Sequence, residues 1–129
     1  SDFSPLKIYD AKELTRNRFG TLLDAEQIES IAQRVERLIN DDEFLGLVDG
    51  RCYKEQSLIF EKELRYIDLL VELQDGSYRV IDYKSSMGDM QEHTIQVKGY
   101  VDCVEKISQK SAEGYICYLL EDGIKIVKV

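Results

Sequence analysis

The spacing of apolar residues divides the chain into segments with helical and with strand-like periods. From Asp24 to Ile39 the apolar positions recur every three or four residues, which predicts an amphipathic helix, and Asp24 followed by Gln27 predicts a capping box. The later segments are predicted as three strands, a helix and two strands: Cys52–Phe60, Leu64–Leu73, Ser77–Lys84, Met90–Gln109, Gly114–Leu120 and Ile124–Val129. A helix, a three-stranded meander, a crossover helix and a hairpin predict a mixed α/β (α+β) fold.

The length of 129 residues fits a single domain with a core of its own. We expect residues 1–23 to form an irregular lead-in, and Glu43–Val48 to add a short turn of helix. No apolar run approaches the length of a membrane span, so we expect a soluble protein without membrane contacts. The sequence does not begin with Met, and we expect a fragment of a larger protein.

The turn between the second and third strands decides where two acidic side chains point. A two-residue loop at Asp75-Gly76 would turn Asp68 and Asp82 to opposite faces, because side chains alternate along a strand. A three-residue loop, with Gly76 in the left-handed conformation after a type I turn, sets Asp68 directly opposite Asp82. That register also places apolar residues on the other face, where they can form a core: Ile67, Leu69, Val71, Leu73 and Ile81. We therefore predict the three-residue loop.

Facing carboxylates give this hairpin its candidate chemistry. In the predicted register Asp68 and Asp82 repel one another, and Lys84 stands opposite Tyr66 on the same face. Such a pair persists most readily when a cation lies between the acids, either a metal ion or Lys84. Two carboxylates and an ammonium are the smallest set of groups that can hold a divalent cation beside a phosphodiester and cleave the phosphodiester. The alternative is that all three are solvated charges on the outer face of a hairpin.

Three further side chains are candidates for the same site. Glu55, on the first strand, can add a third carboxylate that ligates a metal directly or through water; otherwise it is an exposed strand residue. Gln96 and Tyr100 lie four residues apart on one face of the second helix. An amide and a phenol can hold a DNA phosphate or base without adding charge. The alternative for this pair is an ordinary polar helix edge.

The charge balance limits how such a protein can bind DNA. A net charge of −8 and an isoelectric point near 4.7 argue against a free-standing domain that holds nucleic acid through a broad basic surface. A nuclease module tethered to a DNA-binding motor avoids this objection, because its neighbour supplies the affinity.

The cysteines and the single histidine argue against a soft-metal site. Cys52, Cys103 and Cys117 are odd in number and lack a CxxC spacing, so we expect buried, reduced thiols in a cytoplasmic protein. His93 alone cannot support a histidine-based zinc site. Three scattered cysteines also do not match the four that an iron–sulfur cluster requires, and we expect none.

The motifs together resemble a known family. The chain carries, in order, Glu55, Ile67-Asp68-Leu69-Leu70, Ile81-Asp82-Tyr83-Lys84-Ser85, and Gln96 followed by Tyr100. This combination, from about Tyr53 to Val129, resembles the RecB-type nucleases of the PD-(D/E)XK superfamily. Those domains lie at the C-termini of helicase–nucleases such as the RecBCD and AddAB recombination enzymes.

The resemblance implies a restriction-endonuclease-like core and a set of roles. Asp68, Asp82 and the carbonyl of Tyr83 would bind Mg²⁺, for which Mn²⁺ substitutes. Lys84 would act in catalysis, and Glu55 would match the acidic residue of the family's first strand. The helical pair, Gln96 and Tyr100, would lie near the DNA. The implied reaction is hydrolysis of DNA phosphodiesters in double-strand break repair, with a helicase domain of the same parent chain and a partner subunit.

The chain departs from the family pattern at three places. Arg65 stands where the family usually has Gly, and His93 where it commonly has Tyr. The family also carries a metal-binding His on a helix before the first strand, whereas no His precedes Glu55. We expect that helix to be missing from this sequence. Two alternatives stay open: a non-catalytic nuclease-like module for DNA tracking or subunit contacts, and an unrelated acidic interaction domain.

Overall fold

Helices and strands follow the predicted order. The computed structural model describes residues 24–129, and the expected lead-in at 1–23 lies outside them. The elements are α1 (Ala25–Ile39), α2 (Asp42–Leu47), β1 (Arg51–Phe60), β2 (Glu63–Glu72), β3 (Tyr78–Lys84), α3 (Met90–Ser108), β4 (Ala112–Leu119) and β5 (Ile124–Lys128). The predicted fold class is confirmed.

Aspartate side chains begin the two helices that precede the sheet. Asp24 Oδ1 accepts the Gln27 N–H at 2.8 Å, and Gln27 Oε1 accepts the Asp24 N–H at 3.0 Å, which is the predicted capping box. Asp41 Oδ1 accepts the Phe44 N–H at 2.9 Å at the start of α2. Each such cap stabilises its helix by about 1 kcal/mol. None of the helices within residues 24–129 has the length and apolarity that crossing a bilayer requires.

Within residues 24–129, five strands form one sheet in the order β1-β2-β3-β4-β5. The meander β1-β2-β3 is antiparallel, β3 and β4 are parallel, and β4 and β5 are antiparallel. A parallel pair cannot be joined by a tight turn, and α3 provides the long crossover between β3 and β4. The polar end of β3 and the start of α3 therefore belong to the same crossover.

Apolar side chains cover both faces of the sheet. The cluster on the α1–α2 face consists of Leu38, Ile39, Phe44, Val48, Leu69, Val71, Ile81, Cys117 and Leu119. The cluster on the α3 face consists of Ile67, Leu70, Val80, Val97, Val104, Ile116 and Tyr118. The central hairpin β2–β3 thus has no solvated face along most of its length. A carboxylate placed there loses its water and needs a partner.

One sequence prediction about the core is wrong. Ile67 was expected on the same face as Leu69, but it packs in the α3 cluster while Leu69 packs in the α1–α2 cluster. The cause is an irregularity between β1 and β2. Glu55 has a left-handed backbone with φ of 49°, and the ladder pairs residues on both sides of Glu55 and Asp68 but not these two. Alternation along β2 is broken at Asp68.

The three cysteines are free thiols. Cys103 and Cys117 are buried, as predicted, whereas Cys52 on the edge strand β1 is half-buried. Burial raises the pKa of the Cys117 thiol, and nearby carboxylates raise it further. Cys117 is therefore an inert core thiol rather than a nucleophile.

Candidate active site

The β2–β3 turn has the three-residue form. The Leu73 N–H donates to the Ser77 carbonyl at 2.8 Å, and the Gly76 N–H donates to the Leu73 carbonyl at 2.9 Å. Gly76 has φ of 88°, the left-handed conformation that this loop requires. The ladder continues from there to the pair Leu69–Ile81. The predicted register is therefore confirmed.

The backbone ladder stops one residue before the two acids. Asp68 Oδ2 accepts the Tyr83 N–H at 2.9 Å, so a side chain takes the donor that a backbone carbonyl of β2 would otherwise occupy. Tyr66 pairs with Ser57 of β1 and lies beyond the β2–β3 ladder, so the expectation that it stands opposite Lys84 is wrong. The carboxyl of Asp68 acts on that of Asp82 and raises its pKa. The two acids lie together, as the register predicts.

Asp82 is the buried charge of this site. The residue is only 5% exposed, and burial, followed by the hydrogen bond and charge of Asp68, raises its pKa to about 7 against the opposing effect of Lys84. Lys84 Nζ lies 3.1 Å from Asp82 Oδ2 as an ion pair. The contact lacks hydrogen-bond alignment, and Oδ2 accepts no hydrogen bond. A buried carboxylate oxygen needs positive charge beside it, and the Lys84 ammonium supplies that charge in this structure.

Lys84 connects the acids to α3. Its Nζ donates to Gln96 Oε1 at 3.0 Å, and Gln96 Nε2 donates to the Tyr100 hydroxyl at 3.0 Å. Burial raises the pKa of Tyr100, and the charges of Asp82 and Asp68 raise it further, so the phenol stays protonated. The sequence candidates Asp68, Asp82, Lys84, Gln96 and Tyr100 thus form one continuous polar network.

Glu55 and Tyr83 differ from these five residues. Glu55 is exposed. It lies on β1 between the two residues that pair with the sequence neighbours of Asp68. In the part of the chain that the structure describes, no three His, Cys, Asp or Glu side chains gather in a metal-binding arrangement. The Tyr83 N–H donates to Asp68, and the centroid of the Tyr83 ring lies 6.3 Å from that of Phe44 on the opposite face. A metal role for either residue stays a prediction.

Sequence reasoning missed Tyr118 as a neighbour of the site. Tyr118 pairs with Lys84 in the parallel β3–β4 ladder, is fully buried, and has its hydroxyl 3.0 Å from His93 Nδ1. Burial raises its pKa, and so does the charge of Asp82. His93 therefore joins the first turn of α3 to β4, a contact that no local pattern in the sequence predicts.

Arg65 is the second residue whose position was not predicted. Its side chain lies over α3, with Nη1 3.6 Å from the point that a Cβ on Gly99 would occupy. Nη2 donates to the Glu63 carboxylate at 2.9 Å. The positive charge of Arg65 acts to lower the pKa of Tyr100.

Comparison with known proteins supports the fold. No protein-family model and no curated protein matches the chain. The crystal structure of a protein named "Putative exonuclease" from Eubacterium rectale superposes with a TM-score of 0.63 at 15% identity, over 91% of this chain and 51% of that one. The crystal structure of SSO0001 gives a TM-score of 0.47 at 11% identity, over 98% of this chain and 79% of that chain, which is too low to carry an argument. The chain thus shares the fold of the Eubacterium rectale protein and spans about half of its length.

Proposed function

We propose that this chain is a metal-dependent DNA nuclease domain that hydrolyses phosphodiester bonds at the Asp68–Asp82 pair. The observation that carries the proposal is the buried Asp82 carboxyl, whose pKa is raised to about 7 by burial and by the neighbouring Asp68 although the Lys84 ammonium lies 3.1 Å away. Burying two neighbouring carboxyls destabilises a fold unless positive charge lies beside them. Perturbed, buried carboxyl pairs are characteristic of functional sites.

The residues fit a hard divalent cation. Mg²⁺ is typically held by one or two carboxylates and keeps several waters, so Asp68 and Asp82 suffice, with the Tyr83 carbonyl as a further ligand. When bound, Mg²⁺ or Mn²⁺ would polarise the phosphoryl group and lower the pKa of an attacking water. The exposed Glu55 on β1 would contribute through a water.

The chain's own donors would position the DNA. Lys84 is held by Asp82 and by Gln96, which leaves an N–H of its ammonium for a phosphoryl oxygen on which charge develops. The Tyr100 hydroxyl accepts from Gln96 and can donate to a neighbouring phosphate. Because Gln96 contacts both Lys84 and Tyr100, it fixes the distance between the reacting group and the DNA contact.

The wider setting that we propose is a helicase–nuclease acting in double-strand break repair. The net charge of −8 supports a module whose DNA affinity comes from a neighbouring helicase domain or a partner subunit. The motif order Glu55, Asp68, Asp82, Lys84, then Gln96 and Tyr100 supports the same setting through its resemblance to RecB-type nucleases.

A cleavage assay with paired controls tests this function. Wild-type protein with labelled linear DNA in Mg²⁺ or Mn²⁺ should release nucleotides, and Asp82→Asn and Lys84→Ala should each lower the rate by about 100-fold or more. Glu113→Gln and Lys128→Ala remove the same charges from an exposed ion pair with the same 3.1 Å separation, and should retain the wild-type rate.

Two results would decide against the proposal. Equal rates in all five proteins would mean that the Asp68–Asp82 pair does not catalyse the reaction. A wild-type protein that binds Mn²⁺ and DNA without cleaving would favour the alternative, a non-catalytic DNA-tracking or subunit-interaction module.

A further inference from the structure

Arg65 differs from the structural arginines of this protein. Three of those arginines tie loops to helices or strands by donating to backbone carbonyls: Arg34 to Leu119, Arg37 to Leu120 and Glu121, and Arg79 to Gly46 and Leu47. Arg65 instead donates to the side chain of Glu63, which is 69% exposed. An exposed ion pair of this kind contributes at most about 1 kcal/mol. The Arg65 guanidinium is therefore held weakly enough to exchange its partner.

The guanidinium lies beside the proposed DNA contacts. Nη1 is 3.6 Å from the point that a Cβ on Gly99 would occupy, so the side chain rests on the turn of α3 that carries Tyr100. The charges of Arg65, Asp68 and Asp82 all act on the Tyr100 hydroxyl. Leu58, the cross-strand partner of Arg65 on β1, packs in the α3 cluster, which confirms that Arg65 stands on that face of the ribbon.

Four donors thus lie together along α3. The ammonium of Lys84 contacts Gln96, Gln96 contacts Tyr100 one helical turn later, and Arg65 lies over the adjacent Gly99. One turn advances about 5.4 Å along the helix axis. Two cations and two neutral donors gathered on one helix, on a chain of net charge −8, match the backbone of a nucleic acid.

We propose that Arg65 binds a DNA phosphate next to the one that is cleaved, replacing its contact with Glu63. This inference rests on the proposed nuclease function. The planar guanidinium presents paired N–H groups that fit two phosphate oxygens, which a lysine cannot reproduce. In the DNA-free protein the Glu63 carboxylate accepts a hydrogen bond from this guanidinium, and an incoming phosphate would compete with it.

The experiment measures binding of a labelled single-stranded oligonucleotide by fluorescence anisotropy across a salt series, with EDTA present so that no cleavage occurs. Arg65→Gln should weaken binding about tenfold and reduce the slope of log K against log salt by about 0.7, the value for one lost phosphate contact on a single strand. Arg65→Lys should recover the slope but only part of the affinity, because a lysine binds as a point charge.

Glu63→Gln separates a phosphate ligand from a packing residue. If Arg65 binds phosphate, removing its competitor tightens oligonucleotide binding. If the Arg65–Glu63 pair is only structural, Glu63→Gln lowers the melting midpoint and leaves binding unchanged. Lys128→Gln is the matched control: it breaks an exposed pair of 3.1 Å with Glu113, removes the same charge as Arg65→Gln, and should leave the slope unchanged.

Three outcomes would overturn the assignment: no detectable binding by the wild type at low salt, equal slopes for Arg65→Gln and Lys128→Gln, or unchanged binding in Glu63→Gln. Failure of the nuclease function would be recognised separately. In that case Asp82→Asn would leave Mn²⁺ binding and cleavage unaltered, whereas the salt slopes would still report whether Arg65 contacts phosphate.

Discussion

Two lysine–carboxylate pairs in this protein have the same N–O distance, but the pKa of the carboxyl is shifted in opposite directions. Lys84 and Asp82 on the central hairpin lie 3.1 Å apart with side chains 26% and 7% exposed. Lys128 and Glu113 on the closing hairpin, β4–β5, also lie 3.1 Å apart, with side chains 58% and 50% exposed. The pKa of Asp82 is raised to about 7, whereas the pKa of Glu113 is lowered by hydrogen bonds from Tyr115 and then Lys128.

The difference shows that distance alone does not decide what an ion pair does. On the closing hairpin, water solvates both charges and the lysine adds a small favourable interaction. On the central hairpin, both faces of the sheet are covered, and burial together with Asp68 outweighs the attraction of Lys84. The charged form of Asp82 is therefore disfavoured in spite of its lysine, which is the property expected of a carboxyl at a metal site.

The largest expected effect on stability is that of removing Lys84, with Lys128 as the control. Without metal at pH 8, Lys84→Ala should lower the free energy of unfolding by about 3 kcal/mol, because it leaves the buried Asp82 charge without its counter-ion. Lys128→Ala should cost less than about 1 kcal/mol. Urea melts in EDTA measure both, and equal losses would remove the distinction between the pairs.

Next in size is the effect of Asp82→Asn in metal-free protein. The pKa of Asp82 rises from 3.8 unfolded to about 7 folded, so the folded state holds its proton more tightly and stability falls as pH increases from about 4 to 7. Above pH 7 the penalty is complete. Asp82→Asn should therefore raise the free energy of unfolding by about 2 kcal/mol at pH 8 and change it little at pH 4. A lower melting midpoint at pH 8 would contradict this account.

The closing hairpin should be sensitive to volume rather than to buried charge. A Cβ on Gly114 would lie 2.7 Å from Val129 Cγ2 and 2.8 Å from side-chain atoms of Val97 and Val101. Gly114→Ala should lower the free energy of unfolding by about 1–3 kcal/mol, as overpacked cores do. Gly123, where a Cβ would meet nothing within 4 Å, provides the control. Equal denaturant midpoints for the two alanine variants would show that α3 shifts to accommodate the methyl group.

The smallest effect is expected for Glu113→Gln. Because the pKa of Glu113 is lowered, its stabilising contribution is present above its unfolded pKa of 4.5 and is lost as pH falls through the lower folded value. The cost at pH 7 should be below about 1 kcal/mol and should shrink in 1 M salt, which screens exposed charges. Thermal melts at low and high salt measure it, and a salt-independent loss would mean that the pair is effectively buried.

The parts of the site that sequence reasoning found are those governed by local rules. Gly76 dictates a turn, the turn sets the register, and the register brings Asp68 to Asp82. The helical spacing of Gln96 and Tyr100 likewise places both on one face. These relations need only the strand and helix periods, which the sequence contains.

The parts that were missed depend on tertiary contacts. Glutamate has no particular preference for a left-handed backbone, so nothing at Glu55 signals the irregularity that moves Ile67 to the other face. The direction of Arg65 depends on the packing of the β1–β2 ribbon against α3. The contact between Tyr118 and His93 joins a late strand to a helix, and its partners share no sequence motif.

The most direct test of the central claim is a calorimetric titration of the metal-free protein with Mn²⁺ at pH 7, comparing the wild type, Asp82→Asn and Lys84→Ala. The account predicts saturable binding in the wild type that persists in Lys84→Ala and is lost in Asp82→Asn. Wild-type affinity in Asp82→Asn, or no binding in any of the three proteins, would contradict the assignment of the Asp68–Asp82 pair as a metal site.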